Sequence, residues 1–284
     1  MKIVVTGTRG IPGIQGGVET HCQELYPLIA DEQHEIIVIR RPNYAVERSV
    51  QIYKQVAIKD ISAPRSKHLE AFVHTFKAVI YARKVKADIV HIHAVGPALM
   101  TPVARLLGMK VVITHHGPDY DRDKWGRFAK WILCMGERAG VYYANHIIVI
   151  SEHIRQIIYH QYSAKRNVTL IHNGVNVPTR VIGTEYLESL DLTEYGYVLA
   201  VGRFVKEKNL DQLVEAFTQL SSPSMKLVIA GDADFQDEYA QKLKEVCWKQ
   251  KNICLTGFIK GDKLAQLYTY AKVFVLPSTH EGLP

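Results

Sequence analysis

The chain has 284 residues, 47% of them hydrophobic. That is room for two domains at roughly 150 residues each, with real cores, and it excludes a disordered chain. No apolar run reaches the ~20 residues of a membrane span, and the opening MKIVVTGTRG is too short for a signal-peptide core, so the expected compartment is the cytoplasm. The net charge of +7 is uneven: residues 1–184 carry 24 Lys and Arg against 14 Asp and Glu, and residues 185–284 carry 11 against 14. The basic first part suits an anionic partner, whether phosphates, an anionic membrane surface or nucleic acid.

Five short Val- and Ile-rich runs mark the first part in chain order: KIVVTG, EIIVIR, ADIVHIH, KVVITHH and HIIVIS. Each ends in polar or glycine-containing residues, and helical patterns separate several of them. Continuous apolar strands alternating with helices predict a parallel sheet covered on both faces. The helix after the first strand is predicted to start near Gly17 and to run through Glu19, Cys22, Leu25 and Leu28. Ser66–Lys86 has helix-like apolar spacing and a basic tail; it reads as a sheet-covering helix, with an anionic membrane as the other surface it suits. The pattern weakens from Pro178 to Tyr195 and then restarts with YVLAVGR, KLVIAGD, NICLTGF and VFVLPS, with helices expected over Leu210–Leu220 and Tyr239–Trp248. The domains expected are therefore residues 1–178, a linker over 179–195 and a second domain over 196–284. Because the chain ends just after a strand and its loop, the second domain is expected to be incomplete and the whole protein to continue.

Several residue clusters carry chemistry. Gly7, Gly10 and Gly13 fit the TGxxGxxG spacing of an extended short-chain dehydrogenase, and Tyr120 with Lys124 forms a Tyr-x-x-x-Lys. Against that reading, Gly16-Gly17 moves the helix start later, and the second strand ends in Arg40-Arg41, which lacks the acid NAD requires and would suit NADP. The same loop, opening onto a helix at Gly17, also suits a diphosphate through exposed backbone N–H groups. His91, His93, His115 and His116 sit at two strand ends, with His91 and His93 on one side of a strand, but no third-ligand carboxylate accompanies them. Cys22, Cys134, Cys247 and Cys254 match no zinc spacing and read as free thiols. In the second part, Arg203 and Lys208 lie between a strand and a helix, where open α/β sheets bind ligands. An Arg fork and a Lys point charge there suit a diphosphate. Asp232 and Asp234 form a DxD that reads as a turn.

Gly202-Arg203 with Lys208, followed by His280-Glu281-Gly282-Leu283-Pro284 after an apolar strand, closely resembles family 4 of the GT-B glycosyltransferases. Gly16-Gly17-Val18-Glu19 looks like that family's GGxE loop, Asp88–His93 like its D-x-V-H-x-H strand, Thr114–Gly117 like its T-x-H-G turn and Asn173-Gly174-Val175 like its N-G-V-D turn. The opening GTRGIP…GGVET is similar to a subgroup called rhamnosyltransferase-like, and the resemblance spans the whole chain.

The resemblance implies two Rossmann-like domains and a retaining, metal-independent transfer from a nucleotide-sugar donor to a saccharide or lipid-linked acceptor, with no cofactor. Arg203 and Lys208 would neutralise the leaving diphosphate. Glu281 would bond donor-sugar hydroxyls, and His116 would orient the donor sugar. Gly16, Gly17 and Gly202 would approach the diphosphate, and Phe258-Ile259 would pack on the base. Glu19 and Asn173 would belong to the acceptor side. Peripheral contact with an anionic membrane at its inner face is compatible with the basic first part. Nucleic acid is not an expected partner, since no aromatic platform or recognition motif accompanies the charge. Two positions depart from the pattern: the family's second Glu falls beyond residue 284, and Asn176 stands where the usual Asp would follow N-G-V. The alternatives are a nucleotide-sugar epimerase, an NADP-binding dehydrogenase-like enzyme and a non-catalytic subunit that binds sugar nucleotides.

Overall fold

A computed structural model describes residues 1–64, 69–121, 125–162, 167–175, 181–220, 224–233 and 237–279. The chain divides into two units between Val175 and Asn176.

In the first unit the elements run β1 (Lys2–Thr6), α1 (Gly17–Ile29), β2 (Glu35–Arg40), β3 (Ile52–Tyr53), β4 (Val56–Asp60), α2 (Glu70–Lys84), β5 (Ile89–His93), α3 (Thr101–Leu106), β6 (Lys110–His115), α4 (Arg127–Tyr143), β7 (His146–Val149), α5 (Glu152–Tyr162) and β8 (Val168–Leu170). The eight strands form one sheet in the order β3-β4-β2-β1-β5-β6-β7-β8, parallel except for the short β3–β4 pair. The five expected apolar runs are β1, β2, β5, β6 and β7. Their continuous apolar character follows from burial on both faces. On one face Val4, Ile39, Val90, Ile92 and Ile113 pack with Ala78, Val79 and Ala82 of α2 and Ala104 of α3. On the other, Val5, Val38 and Ile58 pack with Cys22 and Tyr26 of α1. Each fully buried large aliphatic side chain contributes about 1.5–3 kcal/mol.

The second unit runs α6 (Glu185–Ser189), β9 (Tyr197–Val201), α7 (Leu210–Thr218), β10 (Lys226–Ala230), α8 (Glu238–Trp248), β11 (Ile253–Gly257), α9 (Asp262–Tyr270) and β12 (Val273–Phe274). Its four described strands are all parallel, in the order β11-β10-β9-β12. Helices α7 and α8 cover one face, with Val214, Phe217, Leu243 and Cys247. Helices α6 and α9 cover the other, with Leu187, Leu267 and Tyr270.

The first helix runs as expected, and one expectation is corrected. The linker does not extend to residue 195, because α6 and the turn after it bury Leu187 and Leu192 in the second unit's core. The buried positions of α1 are Glu19, Cys22 and Tyr26, while Leu28 is 83% exposed. What selects this face is polar as well as apolar, since the Tyr26 hydroxyl bonds two histidines of β5.

Candidate active site

Both sheets end their central strands at a polar edge, and the two edges differ in kind. In the first unit the chain leaves β1 through a glycine-rich loop and enters α1 at Gly17. Gly16 has φ 146°, a conformation that favours glycine, and a Cβ there would lie 2.0 Å from Glu19 Oε2. Glu19 thus folds back over the start of its own helix, and its Oε1 accepts the Arg9 N–H at 2.9 Å. The positive end of α1 therefore already carries an internal carboxylate.

Beside it, β5 and β6 bring the histidines together. His91 and His93 point to one side of β5 and stack, with ring centroids 4.4 Å apart. Tyr26 Oη lies 2.8 Å from His91 Nδ1 and 2.6 Å from His93 Nε2. His91 Nε2 is 2.8 Å from Thr114 Oγ1, and His93 Nδ1 is 2.9 Å from His116 Nε2. Burial, followed by neighbouring histidines, pushes His91 and His116 down to about 3 and His93 well below the usual imidazole range. All three rings are neutral at pH 7. The sequence-predicted His116 is the outermost member of this chain of contacts.

The adjacent His115 turns the other way. Its Nδ1 accepts the Gly117 N–H at 3.1 Å, so its proton sits on Nε2, 2.6 Å from Glu137 Oε1. Glu137 also accepts from Tyr120 and from Tyr162, the latter at 2.6 Å. Burial raises this carboxyl, but the bonds from His115, Tyr162 and Tyr120 outweigh it and hold the group below the usual range. Glu137 has a fully buried side chain and anchors the turn that carries His116. Its sequence signal is the one carboxylate in the otherwise apolar and basic stretch 127–143.

In the second unit the edge is built on close backbone approach. Gly202 N donates to Ala230 O, and Gly231 N donates to Gly257 O, which brings three strand ends side by side. A Cβ on Gly231, at φ 140°, would lie 1.9 Å from Gly202 O. After β9 comes the predicted segment Gly202–Asn209. Phe204 is buried, which anchors the segment, while Arg203 and Lys208 are half-buried. The Lys208 stem runs alongside Gly202: a Cβ on that glycine would be 3.6–3.7 Å from Lys208 Cδ, Cε and Cγ. The structure thus brings Gly202 and Lys208 together. Asn209, at φ 47°, starts α7 and donates from Nδ2 to Pro277 O at 3.1 Å, while Thr279 N donates to Glu207 O at 3.1 Å. The chain leading to His280–Pro284 is tied to this turn; Glu281 itself lies outside the described residues.

The remaining predicted positions divide. Phe258 follows β11 and is 54% exposed, whereas Ile259 packs into the second unit's core. Asn173 lies in the first unit with Oδ1 buried and unbonded. Asp232 accepts from Ala233 N and pairs with Lys244 at 2.6 Å; Asp234 lies outside the described residues. The dehydrogenase reading loses its ligands. Arg40 is fully buried and grips Asp60 through Nε at 2.7 Å and Nη2 at 2.9 Å, Arg41 faces Glu70 at 3.7 Å, and Tyr120 donates to Glu137. The histidines are bonded to one another and to Tyr26, and among the described residues no cluster of three His, Cys, Asp or Glu is set to hold a metal ion.

Two family models match the chain, one in each part. The model described as Glycosyltransferase Family 4 matches residues 15–178, and that described as Glycosyl transferases group 1 matches residues 185–284. The chain belongs to glycosyltransferase family 4. Among its relatives, an uncharacterised glycosyltransferase of Methanocaldococcus jannaschii is 26% identical over 99% of this chain and 75% of its own length. The amylovoran biosynthesis glycosyltransferase AmsD of Erwinia amylovora is 21% identical over 95% of this chain and 72% of its own. Sucrose-phosphate synthase from Thermosynechococcus elongatus superposes with a TM-score of 0.80 at 20% identity, over 100% of this chain and 77% of that one. Anabaena HepE in complex with UDP-glucose superposes with a TM-score of 0.75 at 16% identity, over 99% of this chain and 74% of that one. The fold of this family 4 glycosyltransferase is GT-B.

Proposed function

We propose that this glycosyltransferase moves a sugar, with retention of configuration, from a nucleoside diphosphate sugar to a saccharide or lipid-linked acceptor in surface polysaccharide synthesis, as a member of the rhamnosyltransferase-like subgroup. The observation that carries the reading is the Gly202–Asn209 turn, where Lys208 lies along Gly202 beside Arg203 at the end of β9. As the bond between sugar C1 and the diphosphate oxygen breaks, negative charge grows on the diphosphate. Arg203 and Lys208 stabilise it without a metal. The acceptor oxygen bonds to C1 on the same face, and its proton passes to the leaving phosphate. His116, neutral and half-buried, orients the donor sugar. Glu281 holds its hydroxyls, and Phe258 lies against the base. The UDP-glucose bound by HepE and the amylovoran role of AmsD support the donor class and the polymer product.

A peripheral contact with an anionic membrane is supported by the first unit. Phe72, Phe76 and Ile80 of α2 are exposed beside Lys77, Arg83 and Lys84. Phe128 and Trp131 of α4 are exposed and stacked beside Arg127. The carboxylates of these helices, Glu70 and Glu137, are both buried. No described helix is long and apolar enough to cross a membrane. Co-sedimentation with phosphatidylglycerol vesicles is expected at low salt and to weaken at physiological salt; binding indifferent to salt removes this part of the reading.

The deciding experiment is calorimetric titration with UDP, GDP and dTDP in the presence of a chelator, repeated with Arg203→Ala and Lys208→Ala. One nucleotide is expected to bind, and both variants to lose it. Binding that survives both substitutions sinks the diphosphate assignment.

A further inference from the structure

Four contacts join five side chains in one line: Thr114 Oγ1 to His91 Nε2 at 2.8 Å, His91 Nδ1 to Tyr26 Oη at 2.8 Å, Tyr26 Oη to His93 Nε2 at 2.6 Å, and His93 Nδ1 to His116 Nε2 at 2.9 Å. A neutral imidazole donates from one nitrogen and accepts at the other, and the phenol has one proton to give. Every bond in the line must therefore point the same way. If Tyr26 donates to His93, then His93 donates from Nδ1 to His116 Nε2, and the His116 proton resides on Nδ1. His91 then donates from Nδ1 to Tyr26 and accepts from Thr114. In the opposite sense every proton moves to the other end of its bond, and His116 offers a lone pair at Nδ1 instead.

The distances choose between the two senses. An N–H···O bond spans roughly 2.7–3.2 Å, so 2.6 Å is short for His93 as the donor while 2.8 Å suits an N–H from His91. The shorter bond of Tyr26 is to His93, so its hydroxyl proton points there and the 2.8 Å contact is the one in which His91 donates. From this geometry we propose that Tyr26 and His93 are positioning residues that fix His116 as the Nδ1–H tautomer, so that His116 presents a donor to an oxygen of the donor sugar. Its catalytic consequence rests on the placement of His116 given above; the tautomer itself does not. Cys22 Sγ lies 3.7 Å from His93 Nε2 and is a weak substitute donor when the phenol is removed.

The test is 15N NMR of the histidine rings without substrate, with the His116 signals assigned by their loss in His116→Asn. In the unsubstituted protein His116 is expected as a single tautomer protonated at Nδ1. A proton on Nε2, or a mixture, overturns the assigned direction and is read in the unsubstituted protein, the variant serving only for assignment. In Tyr26→Phe combined with Cys22→Ala, a second His116 tautomer is expected to appear; an unchanged His116 spectrum overturns the coupling. In transfer assays of the whole protein, Tyr26→Phe is expected to lower kcat about 3- to 10-fold, the worth of one neutral hydrogen bond, with nucleoside diphosphate affinity unchanged. If His116→Ala transfers at the unsubstituted rate, the placement of His116 fails while the NMR result stands apart from it.

Discussion

The two sheets share an architecture and end in opposite chemistry. The edge of the first is made of neutral groups that bond one another: Tyr26, His91, His93 and His116, with Glu137 holding the neighbouring turn. The edge of the second is made of glycine backbone, brought so close that a Cβ at Gly231 would clash with Gly202, and beside it stand two cations on one turn. Even the histidines divide: of the 13 in the chain, all but His280 lie within the first 175 residues. The transfer proposed above would use both kinds of surface. Hydroxyls are oriented by fixed neutral donors and acceptors, while a leaving anion is stabilised by charge.

The contrast should break most visibly in acid. His91 and His93 are held neutral in the fold, His91 down to about 3, whereas an unfolded histidine protonates near 6.5. Below about pH 6.5 the unfolded state gains protons that the folded first unit refuses, so its stability falls as pH drops toward 3. The loss is about 1.4 kcal/mol per pH unit for each histidine. Amide exchange at pH 7 and pH 4 is expected to show protection lost from β1, β5 and β6 well before β9 and β10; equal losses would contradict the division. Next in size is Glu137→Ala, which strands His115 and two tyrosine hydroxyls in a buried site. It is expected to cost about 3–5 kcal/mol in denaturant unfolding of the first unit and to leave nucleotide affinity in the second alone. Arg203→Ala should act on transfer instead, lowering kcat by about 10²–10³-fold, as for other transition-state donors, with a smaller effect on the unfolding midpoint than Glu137→Ala. Gly231→Ala should disturb both stability and binding: about 1–3 kcal/mol of strain from the positive φ, with the backbone clash at Gly202 O added to it. It should appear as lost stability together with weakened nucleotide binding, because the clash falls on Gly202 itself.

What the sequence made legible was the periodic part. All nine apolar runs became strands; burial on both faces keeps most central positions apolar, although His91, His93 and Thr114 are buried in β5 and β6 and both residues of β12 are exposed. The start of α1 at Gly17 was legible too, since a residue at φ 146° has few alternatives to glycine. The β3–β4 pair was not. It lies at the sheet edge in QIYKQVAIKD, where alternation is short and half the side chains face water. β8, only three residues long, was hidden for the same reason. The segment from Glu185 to Tyr195 looked like a linker because a five-residue helix has too few turns to establish a period. The turn with Arg203 and Lys208 was legible as the link between a strand and a helix, and the family resemblance supplied the role expected of it. The partners of His116 were not, because Tyr26 lies 67 residues from His93 and Glu137 lies 22 from His115. Such pairs are set by the sheet order and leave no trace in local pattern.

The polar line at the first edge also constrains how the sequence can drift. Replacing Tyr26, His91 or His93 alone leaves a neighbour's buried nitrogen or oxygen without its partner, at about 1–3 kcal/mol, whereas exchanging a bonded pair together for apolar groups of the same shape is nearly neutral. Intermediates with one change are worse than either end point. The three positions are therefore coupled energetically, with single changes costlier than none or all, and related chains are expected to carry the trio whole or to have lost it whole.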